Sequence, residues 1–313
     1  MEKQTALSQR KSTLWSRRNL WSNRYLYMMI LPAFAVVLIF NYLPMYGIVL
    51  AFQKFEYNKS FFQFSFVGTA NFEYLFKQAD FLRAFGNTLV IGFGKLILGF
   101  FPPLILALLL NEVGNQRFKK LAQSVMYLPH FLSWVIIAGI VYSLFSGTGG
   151  LYGKIMVEMG VRPSRILGNP DYFRTIVYAS EIWKTAGWGT IIYLAAIAGI
   201  NPELYESAVL DGAGKIKQMW HITLPSIKYT ILILLILNCG GIMDAGFDQI
   251  FNLYSTSVYK VGDIIDTYVY RLGIRSAKYD ISAAAGLLKS VINCAMLFTA
   301  NSMVKWFGGE SFF

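Results

Sequence analysis

The stretch YESAVLDGAGKIKQMWHITLP, Tyr205 to Pro225, lies between two apolar blocks, YLAAIAGI (193–200) and YTILILLIL (229–237). A plain connector between two helices needs only about 2–8 residues, so a polar insert of this length points to an ordered element with its own task. Its local signals are those of a helical hairpin. Asn201 suits an N-cap, Pro202 the first helical position, and Glu203 the first turn near the positive helix end. The spacing predicts a helix to Asp211 that stops at Gly212, where a left-handed backbone carries no side-chain penalty. A second short helix follows from Lys215 to His221, and Pro225 turns the chain into the next apolar block.

Outward from this island the chain is apolar. Of 313 residues, 55% are hydrophobic and 14% charged, with a mean hydropathy of +0.47. Soluble chains carry roughly 25% charged residues, so the solvent implied here is a bilayer. Six segments reach the about 20 residues that cross a hydrocarbon core: Tyr25–Ile48, Asn87–Leu110, Val125–Phe145, Phe173–Ile200, Ile227–Ile250 and Ile281–Phe307. The expected fold is all-α, with a multi-pass membrane domain over 25–307 that contains the polar loop 201–225. A basic arm (1–24) precedes it and a short tail (308–313) follows. Pro102-Pro103 predicts a kink or break in the second segment.

The net charge of +11 does not form a continuous stripe of the kind nucleic acid requires. The basic residues gather at the ends of apolar runs: Lys3, Arg10, Lys11, Arg17, Arg18 and Arg24 in the arm, and Arg117, Lys119 and Lys120 in the second loop. By the positive-inside rule both are cytoplasmic, as are the C-terminus and the 205–225 island. The longer loops, near 49–86, 146–172 and 251–280, then face outward. The arm, with Trp15 and Trp21 among its arginines, reads either as an amphipathic piece lying on the membrane or as a disordered basic anchor against anionic lipid. Residues 1–24 lack the apolar core of a cleavable signal peptide. Cys239 and Cys294 lie inside apolar runs as packing residues, and with only His130 and His221 beside them no metal site is expected.

Within the island, Glu206-Ser207-Ala208, three residues, Gly212, nine residues and Ile222-Thr223-Leu224-Pro225 resemble the E-A-A, x3, G, x9, I-x-L-P loop of ABC importer permeases. Ser207 in place of the first Ala is the one departure. NEVGNQRFKKLAQSVMYLPHFLSW, IWKTAGWGTIIYLAAIAGINPELYESA and DIIDTYVYRLGI are similar to the carbohydrate-importer branch, maltose-importer-like and polysaccharide-uptake permeases, over roughly 25–307. The resemblance implies the six-helix fold of binding-protein-dependent inner-membrane components. It also implies a coupling helix seated on a cytoplasmic ATPase, in which Glu206, Ala208 and Gly212 are coupling positions. Ser207, Leu210, Asp211, Ile222, Leu224 and Pro225 complete that surface, Leu210 as an apolar contact into the ATPase groove. The implied partners are a second, homologous permease, two ATPase subunits that bind ATP and Mg, an extracytoplasmic solute-binding protein, an oligosaccharide and membrane lipid, in a bacterial cell membrane.

Ionisable residues inside spans default to functional or paired roles. Lys95 lies eight residues past Asn87; Glu181 and Lys184 lie eight and eleven past Phe173; Lys289 lies eight past Ile281; Asp244 lies seventeen past Ile227, with Asp248 a turn further. At about 1.5 Å per residue these fall between mid-membrane and the outer surface, where an importer needs a polar cavity. Trp183, Trp188 and Phe247 offer aromatic platforms to sugar C–H faces, and Asn87 and Asn238 offer amides. Two plainer readings stand beside this one: Glu181 and Lys184, at i and i+3, pair with each other, and the tryptophans belong to an interfacial belt.

GTGGLYGK (147–154) fails as a phosphate loop, because Thr148 and Ile155 stand where Gly and Ser or Thr are needed. Energy must therefore come from a partner. The rivals are an ion-coupled secondary sugar transporter, using the intramembrane carboxylates, and a membrane enzyme, for which Asp244 and Asp248 are the nearest approach to a catalytic pair.

Overall fold

The computed structural model describes Trp21 and residues 23–306. The arm up to residue 20, the tail and Phe307 lie outside the described residues. The chain divides into two compact units, residues 1–50 and 51–313. In the first, α1 (Arg24–Val37) runs through Pro32, widens into a π turn at Leu38–Tyr42 and passes into a 3-10 run, Leu43–Phe52, whose last two residues belong to the second unit.

The second unit opens with a two-stranded antiparallel ribbon. Gln53 of β1 (Gln53–Lys54) pairs with Phe66 of β2 (Ser65–Phe66). There follow α2 (Ala70–Lys77), α3 (Ala79–Glu112), α4 (Gln116–Tyr127), α5 (Trp134–Phe145), α6 (Leu151–Glu158) and α7 (Pro170–Ala198). The hairpin helices are α8 (Pro202–Leu210) and α9 (Lys215–Gln218). Beyond them come α10 (Lys228–Cys239), α11 (Phe247–Leu253), α12 (Tyr259–Gly262), α13 (Ile265–Tyr270) and α14 (Tyr279–Trp306).

Among the described residues three helical stretches are long and apolar enough to cross a membrane unaided: Arg24–Phe52, Ala79–Glu112 and Tyr279–Ser302. Two bent pairs pass the same test only when each is taken together, Gln116–Phe131 with Trp134–Phe145 at 101°, and Lys215–Ser226 with Lys228–Cys239 at 62°. The 29-residue α7 has the length of a sixth.

Asparagine and proline set several of the starts. Asn169-Pro170 and Asn201-Pro202 use one device, in which the Asn side chain accepts from the N–H two residues on while Pro fills the first helical position. Asn115 likewise accepts from the N–H groups of Arg117 and Phe118.

Three expectations about the spans need correction. Pro102-Pro103 does not interrupt α3, which is helical from Ala79 to Glu112. Proline is tolerated in a span when neighbouring helices accommodate the freed backbone, and here Pro103 is buried with Gly189 of α7 closing on its ring. The third segment, by contrast, breaks between Leu128 and Ser133. Leu128–Phe131 tightens to 3-10 geometry, Leu132 and Ser133 become extended, and Ser133 caps α5 through the N–H of Ile136. The fifth segment is helical only to Cys239. Gly240-Gly241 end it, and Gly246 at φ +91° re-aims the chain into α11.

α7 lies against α3 in the most extensive helix pairing of this unit. Apolar side chains fill three clusters. Ile91, Ile137, Phe173, Val177 and Ile250 centre one, Phe81, Met243, Ile265 and Ala284 another. The third joins Ala107, Tyr193 and Ile197 to Ile227 at the foot of the hairpin.

Candidate functional site

A cavity of about 370 Å³ opens between α3, α7 and the unwound end of α10. Its polar lining comes from Lys95, Glu181, Thr185, Asn238 and Asp244, and the rest of the wall is Trp134, four glycines and the apolar side chains of Leu96, Phe100, Leu237 and Ile242. Lys95 Nζ donates to Glu181 Oε2 at 2.9 Å, tying α3 to α7, and both side chains are largely buried, 13% and 23% exposed. Lys289 of α14 lies 2.5 Å from Asp244 Oδ1 and donates to both oxygens of Asp266 at 2.8 and 2.9 Å. One ammonium thus bridges the break after α10 to α13. Glycine at 92 is forced by proximity, because a Cβ there would strike the carbonyl of Ile242.

Of the residues predicted from span depth, Lys95, Glu181, Asn238 and Asp244 are brought together in this cavity, and Lys289 stands behind Asp244. The others are placed elsewhere. Asn87 is buried; its amide donates to the carbonyls of Asp263 and Lys260 and accepts from Arg174, locking α3 to α12 and α7. Lys184 does not pair with Glu181: it donates to the carbonyls of His130 (2.8 Å) and Leu132 (2.5 Å) at the α4–α5 break, with its ammonium 5.5 Å over the Trp134 ring. Trp188 stacks on His130 at 4.5 Å, and Trp183 borders apolar recesses along α5 and α4. Phe247 stacks on Phe251, and Asp248 is exposed in the first turn of α11. Sequence reasoning missed Asp266, Thr185 and Trp134. Asp266 lay in a segment read as loop, and Trp134 at a helix start that only the break creates.

Flanking α13, Arg271 grips Asp263 with two hydrogen bonds, 3.0 and 2.7 Å, against a fully buried carboxylate. Those bonds raise the guanidinium above its ordinary pKa despite burial.

The hairpin is built as its caps predict. Gly212 sits at φ +74°; its N–H donates to the carbonyl of Val209 at 3.0 Å, and that of Ala213 reaches Ala208 at 2.8 Å. This pair of bonds is the Schellman closure. The second helix extends further than expected, through a π turn at Met219–Thr223 that includes His221 and Ile222, and a last turn Leu224–Ser226 that takes in Pro225. The hairpin is tied down by Tyr205 Oη to Thr223 Oγ1 (2.9 Å), by Lys215 to Glu112 (3.0 Å), and by Met219 and Leu224 in the Ile227 cluster. Both hairpin helices leave apolar and acidic side chains exposed. Leu210 is 88% exposed, and Val209, Ile216 and Trp220 are exposed with Glu206, Ser207 and Asp211. Ile216 and Trp220 were not singled out in the sequence, because no cap or motif marks them. Apolar side chains this exposed on an otherwise polar element are candidates for an interaction surface.

Residues 99–293 match the family model described as the binding-protein-dependent transport system inner membrane component. The polygalacturonan/rhamnogalacturonan transport system permease protein YteP of Bacillus subtilis is 42% identical over 291 residues, covering 93% of this chain and 90% of that protein. A chain in the crystal structure of a bacterial alginate ABC transporter, in complex with an alginate pentasaccharide-bound periplasmic protein, superposes with a TM-score of 0.85 at 39% identity, over 96% of this chain and 100% of that one. A second crystal structure, of a bacterial ABC transporter involved in the import of the acidic polysaccharide alginate, gives 0.85 at 40% identity, over 92% and 97%. A polar cavity among long apolar helices, an exposed hairpin after α7 and these relatives lead to one conclusion: the chain belongs to the binding-protein-dependent transport inner membrane components, the permease subunits of ABC importers.

Proposed function

We propose that this permease forms half of the translocation path for an oligosaccharide and is driven by ATP hydrolysed on partner subunits. The observation that carries the reading is the pairing of two features in one chain. The hairpin exposes Leu210, Val209, Ile216 and Trp220 as well as Glu206, and the cavity offers amide, hydroxyl, carboxylate and indole groups in the chemistry that sugars bind.

In this reading the assembly holds a second homologous permease, two cytoplasmic ATPases with their ATP and Mg, and an extracytoplasmic binding protein. Relatives named for polygalacturonan, rhamnogalacturonan and alginate transport support a glycan as cargo. Residues 201–225 and both termini face the cytoplasm. The loaded binding protein docks outside, ATP closes the ATPase dimer, and the hairpin transmits that closure to α7 and α10. Sugar enters the cavity, and hydrolysis returns the path to the inward side. By linkage the docked binding protein must favour ATPase closure in turn.

The test is transport by the complex reconstituted in vesicles. Uptake is expected to require ATP inside and the binding protein outside, and to persist when ion gradients are collapsed. Uptake that needs an ion gradient and no ATPase would establish the ion-coupled alternative.

A further inference from the structure

Gln249 of α11 is fully buried, and its side-chain amide is fixed in one orientation. Nε2 donates to the carbonyl of Val177 at 2.7 Å and to Ser180 Oγ at 2.9 Å, both on α7. The Ser180 hydroxyl directs its own proton to the carbonyls of Ile176 and Val177, so toward Gln249 it can only accept. Oε1 is therefore turned the other way, and it accepts no hydrogen bond among the described residues. A buried acceptor left unpaired is costly and uncommon, and it calls for a donor.

A donor stands beside it. Gly246, at φ +91°, has no side chain, and the point its Cβ would occupy lies 2.5 Å from Lys95 Nζ and 3.5 Å from Gln249 Oε1. The ammonium and the unpaired oxygen thus border the same gap. Lys95 carries three N–H donors on a flexible stem, and its bond to Glu181 Oε2 occupies one of them. The other charges nearby are engaged elsewhere: Asp244 by Lys289, and Lys184 by the carbonyls of His130 and Leu132. Glu181 lines the cavity and Gln249 does not. Moving Lys95 from one to the other therefore changes what the cavity presents, from a paired carboxylate to a free one.

We propose that Gln249 is a positioning residue, the second acceptor of Lys95. In the structure the ammonium rests on Glu181. When a sugar hydroxyl donates to the Glu181 carboxylate, Lys95 swings to Gln249 Oε1, and Glu181 takes the sugar without leaving a buried cation unpaired. The step that involves sugar rests on the reading of the cavity as the oligosaccharide path; the exchange of acceptors does not.

The experiment is a double-mutant cycle on the full importer complex in nanodiscs, read first as melting temperature without sugar. Gln249→Met removes the acceptor and keeps the length of the side chain. In the wild-type background it is expected to shift the melting temperature little, because Lys95 rests on Glu181 and the Ser180 hydroxyl keeps its bonds within α7. In a Glu181→Met background it is expected to lower it by several degrees, because Lys95 then loses its last acceptor. Equal shifts in the two backgrounds overturn the proposal. Cryo-electron microscopy of the Glu181→Met complex, with Gln249 intact, is expected to show Lys95 Nζ within about 3 Å of Gln249 Oε1. Lys95 turned to any other group overturns the exchange, even where Gln249→Met yields no folded complex. In ATP-driven uptake, Gln249→Met alone is expected to raise KM several-fold with a smaller change in kcat. An unchanged KM alongside the observed exchange keeps the exchange and removes the sugar from this cavity.

Discussion

Gly212 holds the hairpin's turn at φ +74°, and open space surrounds the position a Cβ would take. The demand there is on the backbone alone: a side chain fits, but the left-handed conformation is disfavoured by about 1–2 kcal/mol for ordinary L-residues and least for Asn. Gly212→Val is therefore expected to lower sugar-stimulated ATP hydrolysis in the reconstituted complex several-fold, with Gly212→Asn retaining most of it. Equal loss in both would show that the site is limited by space and not by conformation. Glu206→Ala is expected to uncouple the complex with the hairpin intact, because the exposed Glu206 carboxylate closes none of the hairpin's own hydrogen bonds. Full coupling in both Glu206→Ala and Gly212→Val would remove the coupling assignment. Lys95 and Glu181 behave differently. Removing one partner of a largely buried pair costs about 3–5 kcal/mol, and removing both costs much less. Lys95→Met alone should lower the yield and melting temperature of the complex, and Lys95→Met with Glu181→Gln should restore most of both. If the double variant is no more stable than the single one, the pair does not carry the α3–α7 contact.

At the scale of elements, the break between α4 and α5 is held by a cation instead of by helical bonds. Lys184 donates to two carbonyls that a 101° bend leaves without helical partners. Close packing supports it from the other side, since a Cβ on Gly187 would collide with the carbonyl of Met126. Gly187→Ala is expected to push α7 off α4 and to cut the yield of folded protein, measured by detergent-solubilised monodispersity. Tolerance of Ala there would mean that the two helices are not in backbone contact. These elements also show what the sequence could and could not disclose. The hairpin was legible because caps act over three or four residues: Asn201, Pro202 and Gly212 state their positions locally. The cavity was only partly legible, because depth counted along a straight helix assumes that the helix continues. The chain unwinds after Cys239, so Asp244 reaches Lys289 through a loop. Lys184, three residues from Glu181, turns to carbonyls more than fifty residues away, and no local spacing could have announced that partner. The same holds for Trp183 and Trp188, whose direction depends on which neighbour each face of α7 meets.

For the whole molecule, the sidedness of the membrane decides whether hairpin and cavity can work together. The basic clusters at 117–120 and 215–217 fall beside the same ends of α3 and α7, and the bridge from Lys215 to Glu112 joins the two loops that carry them. By the positive-inside rule such loops are expected in the cytoplasm, and the loop that carries the ribbon Gln53–Phe66 is expected on the opposite side. Single cysteines introduced at Leu210 and at Tyr57, both exposed, in a chain whose Cys239 and Cys294 have been replaced by Ala, report this directly. In intact cells a membrane-impermeant maleimide is expected to label Tyr57→Cys and to leave Leu210→Cys untouched until the membrane is opened. In opened membranes, adding the ATPase subunits should then protect Leu210→Cys at least several-fold, because the surface around it is the one proposed to enter their groove. Labelling of Leu210→Cys from outside would invert the topology and remove the hairpin from the reach of any cytoplasmic ATPase. Correct sidedness with no protection would keep the topology and move the docking surface away from Leu210.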